Sequence, residues 1–300
     1  MRILLTGATG YLGSNIAHAL EDDGHEVTCV VRKESCTEGL KSYRLIMNNL
    51  DEIDEELSCR KYDWVINTAC VYRQNASLYG DMINANLVFP SQLLNLAVKN
   101  HISNFMTMGT SLPDTFNMYS FTKSGMSKIG KYISDHEGMI NFADMKLEMF
   151  YGSYIEGGND AFVRNRFIQS TAYKLASGED IKLTEGTQKR DIIHVFDAVS
   201  IILRVLRMNL HGFREFPVGT GENHSIREVA EFMHKYMNSS SHIEFGALPS
   251  RAGEPDTLAD VKWYDEIDYR LKYSFFEGLK DECDRIRNKS EINQKGHYKS

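Results

Sequence analysis

The sequence predicts an α/β protein built on a doubly wound parallel sheet, with a smaller interleaved C-terminal lobe. Three observations carry that prediction. Short apolar runs alternate with helical ones from Ile3 to Met145. The first run enters a glycine-rich turn that opens directly into a helical stretch. Beyond Tyr151 the alternation loosens and polar segments take over. Strands alternating with helices imply parallel pairing, with helices covering both faces of one sheet.

The elements follow in order. Ile3 to Thr6 reads as a strand, Tyr11 to Asp22 as a helix, and Glu26 to Val31 as a β-branched strand entered through Gly24 and His25. Trp64 to Thr68 reads as a further buried strand. Ala85 to Asn100 has helical spacing, with Leu87, Leu93, Leu94, Leu96 and Val98 on its apolar face. Asn104 to Met108 is a strand, Met118 to Asp135 a helix, and Asn141 to Met145 a strand. Gly152 to Asp160 is polar and reads as a loop over a ligand site. Phe162 to Ser177 looks helical and Ile181 to Thr184 extended, and Ile192 to Leu206 is read as a strand and helix returning to the main sheet. The expected division is therefore 1–151 plus 190–220 for the larger domain, and 152–189 plus 221–288 for the lobe. A polar tail over 289–300 is expected to fray.

Composition narrows the class. Hydrophobic residues at 42% and charged residues at 25% suit a globular core. A formal charge of −7 argues against nucleic acid and anionic membranes as partners. Cys29, Cys36, Cys59, Cys70 and Cys283 are scattered and odd in number, with no C-x-x-C pair, which suggests reduced thiols and no zinc site. The opening Met-Arg-Ile-Leu-Leu-Thr-Gly is too short for a signal peptide, and no stretch has the length of a membrane span, so a cytoplasmic location is expected.

Gly7-Ala8-Thr9-Gly10-Tyr11-Leu12-Gly13 lies between the first strand and the first helix. That is the Rossmann-type position for a dinucleotide. The first glycine permits the tight turn, the second lets backbone approach a pyrophosphate, and the third allows close helix packing. The helix N-terminus adds N–H groups and the positive end of its dipole. At the end of the second strand, Val30-Val31-Arg32-Lys33 has no carboxylate for the ribose hydroxyls, and its two cations suit a 2′-phosphate. NADPH is therefore favoured, while Glu34 one residue later keeps NAD open.

Tyr119-Ser120-Phe121-Thr122-Lys123 begins a helix, and the i, i+4 spacing puts Tyr119 and Lys123 on one face. A phenol with a solution pKa of ~10 needs a cation nearby to act near neutrality. A hydroxyl that polarises a carbonyl belongs at the end of the preceding strand, where Gly109-Thr110-Ser111 offers Thr110 first and Ser111 in reserve. A non-catalytic dinucleotide sensor is the alternative from another class. Such a protein has no use for Thr110, Tyr119 and Lys123 together.

These residues together resemble the extended short-chain dehydrogenase/reductase family of nucleotide-sugar enzymes, the epimerase/dehydratase group. The resemblance runs from Gly7 to Arg251-Ala252-Gly253-Glu254. It implies cofactor contacts at Asn49 and Leu50, at Thr68 and Ala69 of Asn67-Thr68-Ala69, and at Asn86, besides Thr9, Tyr11, Leu12 and Lys123. It also implies that Arg190, in Arg190-Asp191-Ile192-Ile193-His194-Val195, and Arg251 grip a sugar nucleotide's diphosphate, as planar cationic forks can. The family's dehydratases follow the catalytic Thr with Asp-Glu, whereas Thr110 here precedes Ser111-Leu112-Pro113. Its galactose-type epimerases have a longer stretch before the Tyr, whereas eight residues separate Thr110 from Tyr119 here. The segments look most like those of the enzymes that reduce a CDP-4-keto-3,6-dideoxyhexose at C4 with NADPH, on the way to O-antigen sugars. A 4-epimerase holding NAD, or a reductase of a dTDP- or UDP-linked keto sugar, stays open. The resemblance further implies a homodimer, with the Ala85–Asn100 and Met118–Asp135 helices as candidate contacts.

Overall fold

The computed structural model describes residues 1–40, 42–72, 79–152 and 166–297. In chain order the elements are β1 (Arg2–Thr6), α1 (Tyr11–Asp22), β2 (Glu26–Val31), β3 (Arg44–Met47), α2 (Leu50–Cys59), β4 (Trp64–Asn67), α3 (Tyr79–Ile83), α4 (Phe89–Lys99), β5 (Asn104–Met108), α5 (Met118–Glu137) and β6 (Asn141–Leu147). Next come β7 (Met149–Tyr151), α6 (Phe167–Ser177), β8 (Ile181–Lys182), β9 (Lys189–Arg190), β10 (Ile192–His194), α7 (Val195–Leu206) and β11 (Phe213–Val218). The last are β12 (His224–Ser225), α8 (Ile226–Met237), β13 (Ile243–Glu244) and α9 (Phe275–His297). The chain forms two compact units, Met1–Leu147 with Val199–Val218, and Glu148–Ala198 with Gly219–Ser300. No helix among the described residues is long and apolar enough to cross a membrane.

The first unit holds a seven-stranded sheet in the order β11-β6-β5-β4-β1-β2-β3, with every neighbouring pair parallel. Its inner strands are almost continuous buried runs, such as Ile3-Leu4-Leu5 and Phe105-Met106, because helices cover both faces of such a sheet. Leu4, Val65, Phe105 and Phe142 pack with Leu93 and Leu94 of α4 and Met126 of α5. A Cβ on Gly130 would lie 2.3 Å from the Phe142 ring, so α5 reaches the sheet at a distance that only glycine allows.

α5 is defined at both ends. Asn117 accepts from the Ser120 N–H while the Ser120 hydroxyl accepts from the Asn117 N–H, a reciprocal capping box. Gly138 closes the helix in the left-handed conformation, φ +61°. The stretch expected as one helix over Ala85–Asn100 starts instead with a π-helical turn, Asn84–Val88, before α4. Pro90 accounts for the loosening: without an N–H it cannot bond the Asn86 carbonyl, and the Phe89 N–H reaches back to the Asn84 carbonyl.

The second unit buries Ile168 and Leu175 of α6, Val229 and Met233 of α8, and Leu279, Cys283 and Ile286 of α9, around Tyr151 and Ile192. Four expectations need correcting. The strand Ile192–His194 pairs with β7 of the second unit, and the strand that returns to the main sheet is β11, beside β6. The first unit accordingly ends at Leu147 and regains only Val199–Val218. β3 and α2 were not expected at all. The helix α9 runs to His297, past the expected start of the tail at Lys289. Most of the expected loop over Gly152–Asp160, and the first residues of the expected Phe162–Ser177 helix, lie outside the described residues.

Candidate active site

At the turn after β1, Gly7 has φ +73°, and a Cβ there would lie 2.6 Å from the Ala69 nitrogen and from Thr68 Oγ1. A Cβ on Gly13 would lie 2.1 Å from the Gly7 carbonyl oxygen. The protein's own packing thus requires both glycines. Gly10 differs: its φ is −83°, and a Cβ would meet nothing nearer than the Gly7 oxygen at 3.2 Å. The protein's own packing thus presses less on Gly10 than on Gly7 or Gly13, and its lack of a side chain suits an approaching ligand. Gly10 caps α1 without a side-chain acceptor, and the first turn (Tyr11, Leu12) carries no carboxylate, so the helix dipole is not offset by side-chain charge. Thr9 lies half-buried in the same turn. These features fit a dinucleotide pyrophosphate.

Around this turn, Thr68 donates its hydroxyl to the Thr6 carbonyl at 2.7 Å and so ties the end of β4 to the glycine turn. At the end of β2, Arg32 and Lys33 are exposed, with Arg32 Nε 3.5 Å from Glu34. Asn49 caps α2 by accepting from the Asp51 N–H at 2.8 Å, with Leu50 as the first helical residue. Asn86, buried in the π-helical turn, accepts from the Val71 N–H at 2.8 Å and donates to the Val71 carbonyl at 2.9 Å. This two-point clamp fixes the segment that follows Ala69.

Tyr119 and Lys123 share one face of α5. Lys123 is buried, its ammonium donates to the Met108 carbonyl at 2.8 Å, and it lies 5.9 Å from the centre of the Tyr119 ring. The carbonyl it holds is the last of β5, two residues before Thr110. Thr110 and Ser111 continue from that strand: the Gly109 N–H donates to the Met145 carbonyl at 2.8 Å, and Ser111 N–H to Leu147 at 3.4 Å. Thr110 Oγ1 accepts from the Leu112 N–H at 3.3 Å, which shapes the turn and leaves its hydroxyl proton for another acceptor. The β5–β6 ladder and α5 thus place Thr110, Tyr119 and Lys123 in the first unit. The Tyr72 ring, not singled out from the sequence, stacks on Tyr119 with centroids 5.0 Å apart and planes 24° apart.

Arg190 and Arg251 belong to the second unit and have different surroundings. Arg190 is buried; it donates to the Lys189 and Pro255 carbonyls and pairs with Glu254, the acid of the Arg251-Ala252-Gly253-Glu254 turn. Arg251 on that turn is exposed. Two groups nearby escaped sequence reasoning. The buried Asp191 carboxylate accepts from the Thr220 N–H and hydroxyl, both at 2.7 Å, and from the N–H groups of Gly221 and Ala259. His194 packs between Tyr151 and Tyr273, and burial, aided by Lys272 and Arg285, lowers its pKa to about 4.

Residues 3–219 match the NAD dependent epimerase/dehydratase family. The chain belongs to that family. It is therefore an enzyme whose fold serves a nicotinamide dinucleotide. This family member is 27% identical over 292 residues to the CDP-abequose synthase of Salmonella muenchen, covering 93% of the chain and 96% of that enzyme. It is 26% identical over 297 residues to the UDP-glucose 4-epimerase of Corynebacterium glutamicum, covering 86% of each. Among solved structures, the UDP-glucose-4-epimerase of Stenotrophomonas maltophila with bound NAD and formylated UDP-arabinopyranose superposes with a TM-score of 0.84 at 16% identity, covering 97% and 99% of the two chains. MoeE5 in complex with UDP-glucuronic acid and NAD gives 0.83 at 20% identity, covering 96% of this chain and all of that one. At these identities the two structures establish the fold.

Proposed function

We propose that this enzyme reduces the C4 ketone of a nucleotide-diphospho 4-keto-3,6-dideoxyhexose with NADPH, and specifically converts CDP-4-dehydro-3,6-dideoxyglucose to CDP-paratose. The observation that carries the reading is Lys123, buried, anchored to Met108 and beside the Tyr119 ring. Similarity to CDP-abequose synthases over nearly the whole chain supports a CDP-dideoxyhexose. Paratose and abequose differ only at C4, so proton couplings in the NMR spectrum of the product distinguish them.

A dinucleotide held at the Gly7–Gly13 turn would supply the hydride that C4 gains. Thr110 and Tyr119 orient the carbonyl oxygen and draw charge toward it, and Tyr119 gives its phenol proton to that oxygen. Lys123 favours the phenolate left behind. In the second unit the exposed Arg251 is assigned to the diphosphate, with Arg190 bracing its turn through Glu254 and adding charge. Arg32 and Lys33 are assigned to the 2′-phosphate, Asn49 and Leu50 to the adenine end. The protein is proposed to act in the cytoplasm as a homodimer contacting through the Asn84–Lys99 region and α5, where Val88, Phe121 and Tyr132 are exposed.

Consumption of NADPH absorbance with CDP-4-dehydro-3,6-dideoxyglucose tests the reading. Activity should appear only with added NADPH, fall at least a hundredfold in Tyr119→Phe, and show a KM for NADPH that rises about tenfold in Arg32→Ala/Lys33→Ala while that for NADH holds. Near-wild-type turnover in Tyr119→Phe would overturn the acid assignment. The similarity to UDP-glucose 4-epimerases favours a second reading, 4-epimerisation. In that case the enzyme would carry its dinucleotide through purification and consume none.

A further inference from the structure

Tyr72 has no part in the function as proposed, yet its ring is stacked on that of Tyr119. Its position is imposed from one side by Asn86. The amide of Asn86 bonds both the N–H and the carbonyl of Val71, at 2.8 and 2.9 Å, so the peptide groups flanking Val71 are held against rotation. Asn86 is itself buried in the π-helical turn that Pro90 imposes, where the side chain is carried on irregular backbone. From the other side, the capping box at Asn117 and Ser120 fixes the first turn of α5, and Lys123 anchors the next turn to Met108. Both backbones that carry the stacked rings are therefore held in place, and the contact is a built feature of the first unit.

A phenol that gives up its proton must present its oxygen along one direction. The two bonds of a tyrosine side chain that rotate, χ1 and χ2, allow several others. A stacked neighbour removes most of that freedom. It also keeps water from the covered ring face. We propose that Tyr72 is a positioning residue for proton transfer, holding the Tyr119 phenol in its reactive orientation through ring stacking. The inference rests on Tyr119 being the proton donor. It is the ring of Tyr72 that acts, through its stacking on Tyr119.

The test compares Tyr72→Phe, Tyr72→Ala and Tyr72→Leu, each alone and combined with Tyr119→Phe, using CDP-4-dehydro-3,6-dideoxyglucose and NADPH. Tyr72→Phe keeps the ring and should retain at least half the wild-type kcat. Tyr72→Ala should lose about tenfold or more in kcat, since small misplacements of a reacting group are costly, with KM for NADPH unchanged. In the Tyr119→Phe background Tyr72→Ala should cost nothing further, because the group it positions is already gone. Tyr72→Leu, which fills more of the space, should behave like Tyr72→Ala and serves if the alanine variant does not fold. A merely structural role would lower kcat in both backgrounds alike, and that result overturns the proposal. So does wild-type kcat in Tyr72→Ala or Tyr72→Leu, or a loss in Tyr72→Phe as large as in Tyr72→Ala. If Tyr119→Phe destroys activity and the Tyr72 variants do not, only this proposal falls. If Tyr119→Phe is fully active, the proton-donor reading falls and this proposal with it.

Discussion

Asp144 and Lys146 form a 2.8 Å ion pair on one face of β6, and the Asp144 carboxylate is packed against the backbone of Gly109. Spacing of i, i+2 puts both side chains on that face. The carboxylate is fully buried, and burial pushes its pKa above the usual range by more than Lys146 pulls it down. Burial alone would lower Lys146, but Asp144 and Glu215 hold it above the ordinary lysine value. A charged pair thus occupies the space that any side chain at position 109 would need, one residue before Thr110.

Gly109→Ala should therefore destabilise the protein. The added Cβ would fall 2.2 Å from Asp144 Oδ1 and 3.2 Å from Lys146 Cδ. Overpacking of this kind costs ~1–3 kcal/mol, readable as a lower urea midpoint. Activity should fall as well, since Met108 and Thr110 flank the displaced residue. An unchanged midpoint would show that the pair moves aside freely.

Gly13 and Gly10 of the first turn should separate by phenotype. Gly13→Ala, with its Cβ 2.1 Å from the Gly7 oxygen, should fold poorly. Gly10→Ala should melt within a few degrees of wild type yet lose at least tenfold in NADPH affinity, measured by quenching of protein fluorescence. Normal NADPH binding by Gly10→Ala would remove the pyrophosphate from that turn.

Arg190 and Arg251 should also part company. Arg190→Ala leaves Glu254 half of a largely buried pair, a loss of ~3–5 kcal/mol where removal strands a buried charge. Arg251→Ala should leave the melting temperature unchanged and raise the KM for the sugar nucleotide about tenfold. Equal effects of the two variants on stability would refute the division of labour.

Much of this architecture was legible in the sequence because a parallel sheet writes itself as buried apolar runs, and β1, β2, β4, β5 and β6 all do so. β3 does not: it is an edge strand whose Arg44 and Leu45 are exposed. α2 carries five acidic residues in Asp51-Glu52-Ile53-Asp54-Glu55-Glu56, which hide a face consisting of little beyond Ile53 and Leu57. Pro217 argues against a strand, and β11 accommodates it because it lies at the sheet's other edge. Ile192-Ile193-His194 is apolar enough for either unit, and nothing in an apolar run names its partner strand. At the site, spacing pointed to Tyr119 and Lys123 because one helix carries both. Tyr72 was invisible because its contact with Tyr119 is made across the fold, from a segment with no periodicity. Asp144 was missed for a related reason: alternating charges on a strand suggest a solvent face, and here the carboxylate is buried with a half-buried Lys146 beside it.

The second unit should weaken in acid through His194. Its pKa in the fold is about 4, against an ordinary 6.5, so the folded protein favours the neutral ring. The stability this supplies is complete above 6.5 and is lost as pH falls from 6.5 towards 4, by up to about 3 kcal/mol. Urea midpoints at pH 7, 5.5 and 4.5 should fall in wild type and fall less in His194→Phe. Parallel slopes in the two proteins would assign the acid sensitivity elsewhere.

The return of Phe213–Val218 to β6 also bears on how the chain is made. When Leu147 leaves the ribosome, β6 has its partner β5 on one side and a bare row of N–H and C=O groups along the other. That row stays unpaired while all of Glu148–Ala198 is synthesised. A nascent chain stalled in this interval offers an adhesive template to any other chain nearby. Chaperone capture of the growing polypeptide should therefore peak between the appearance of β6 and that of β11.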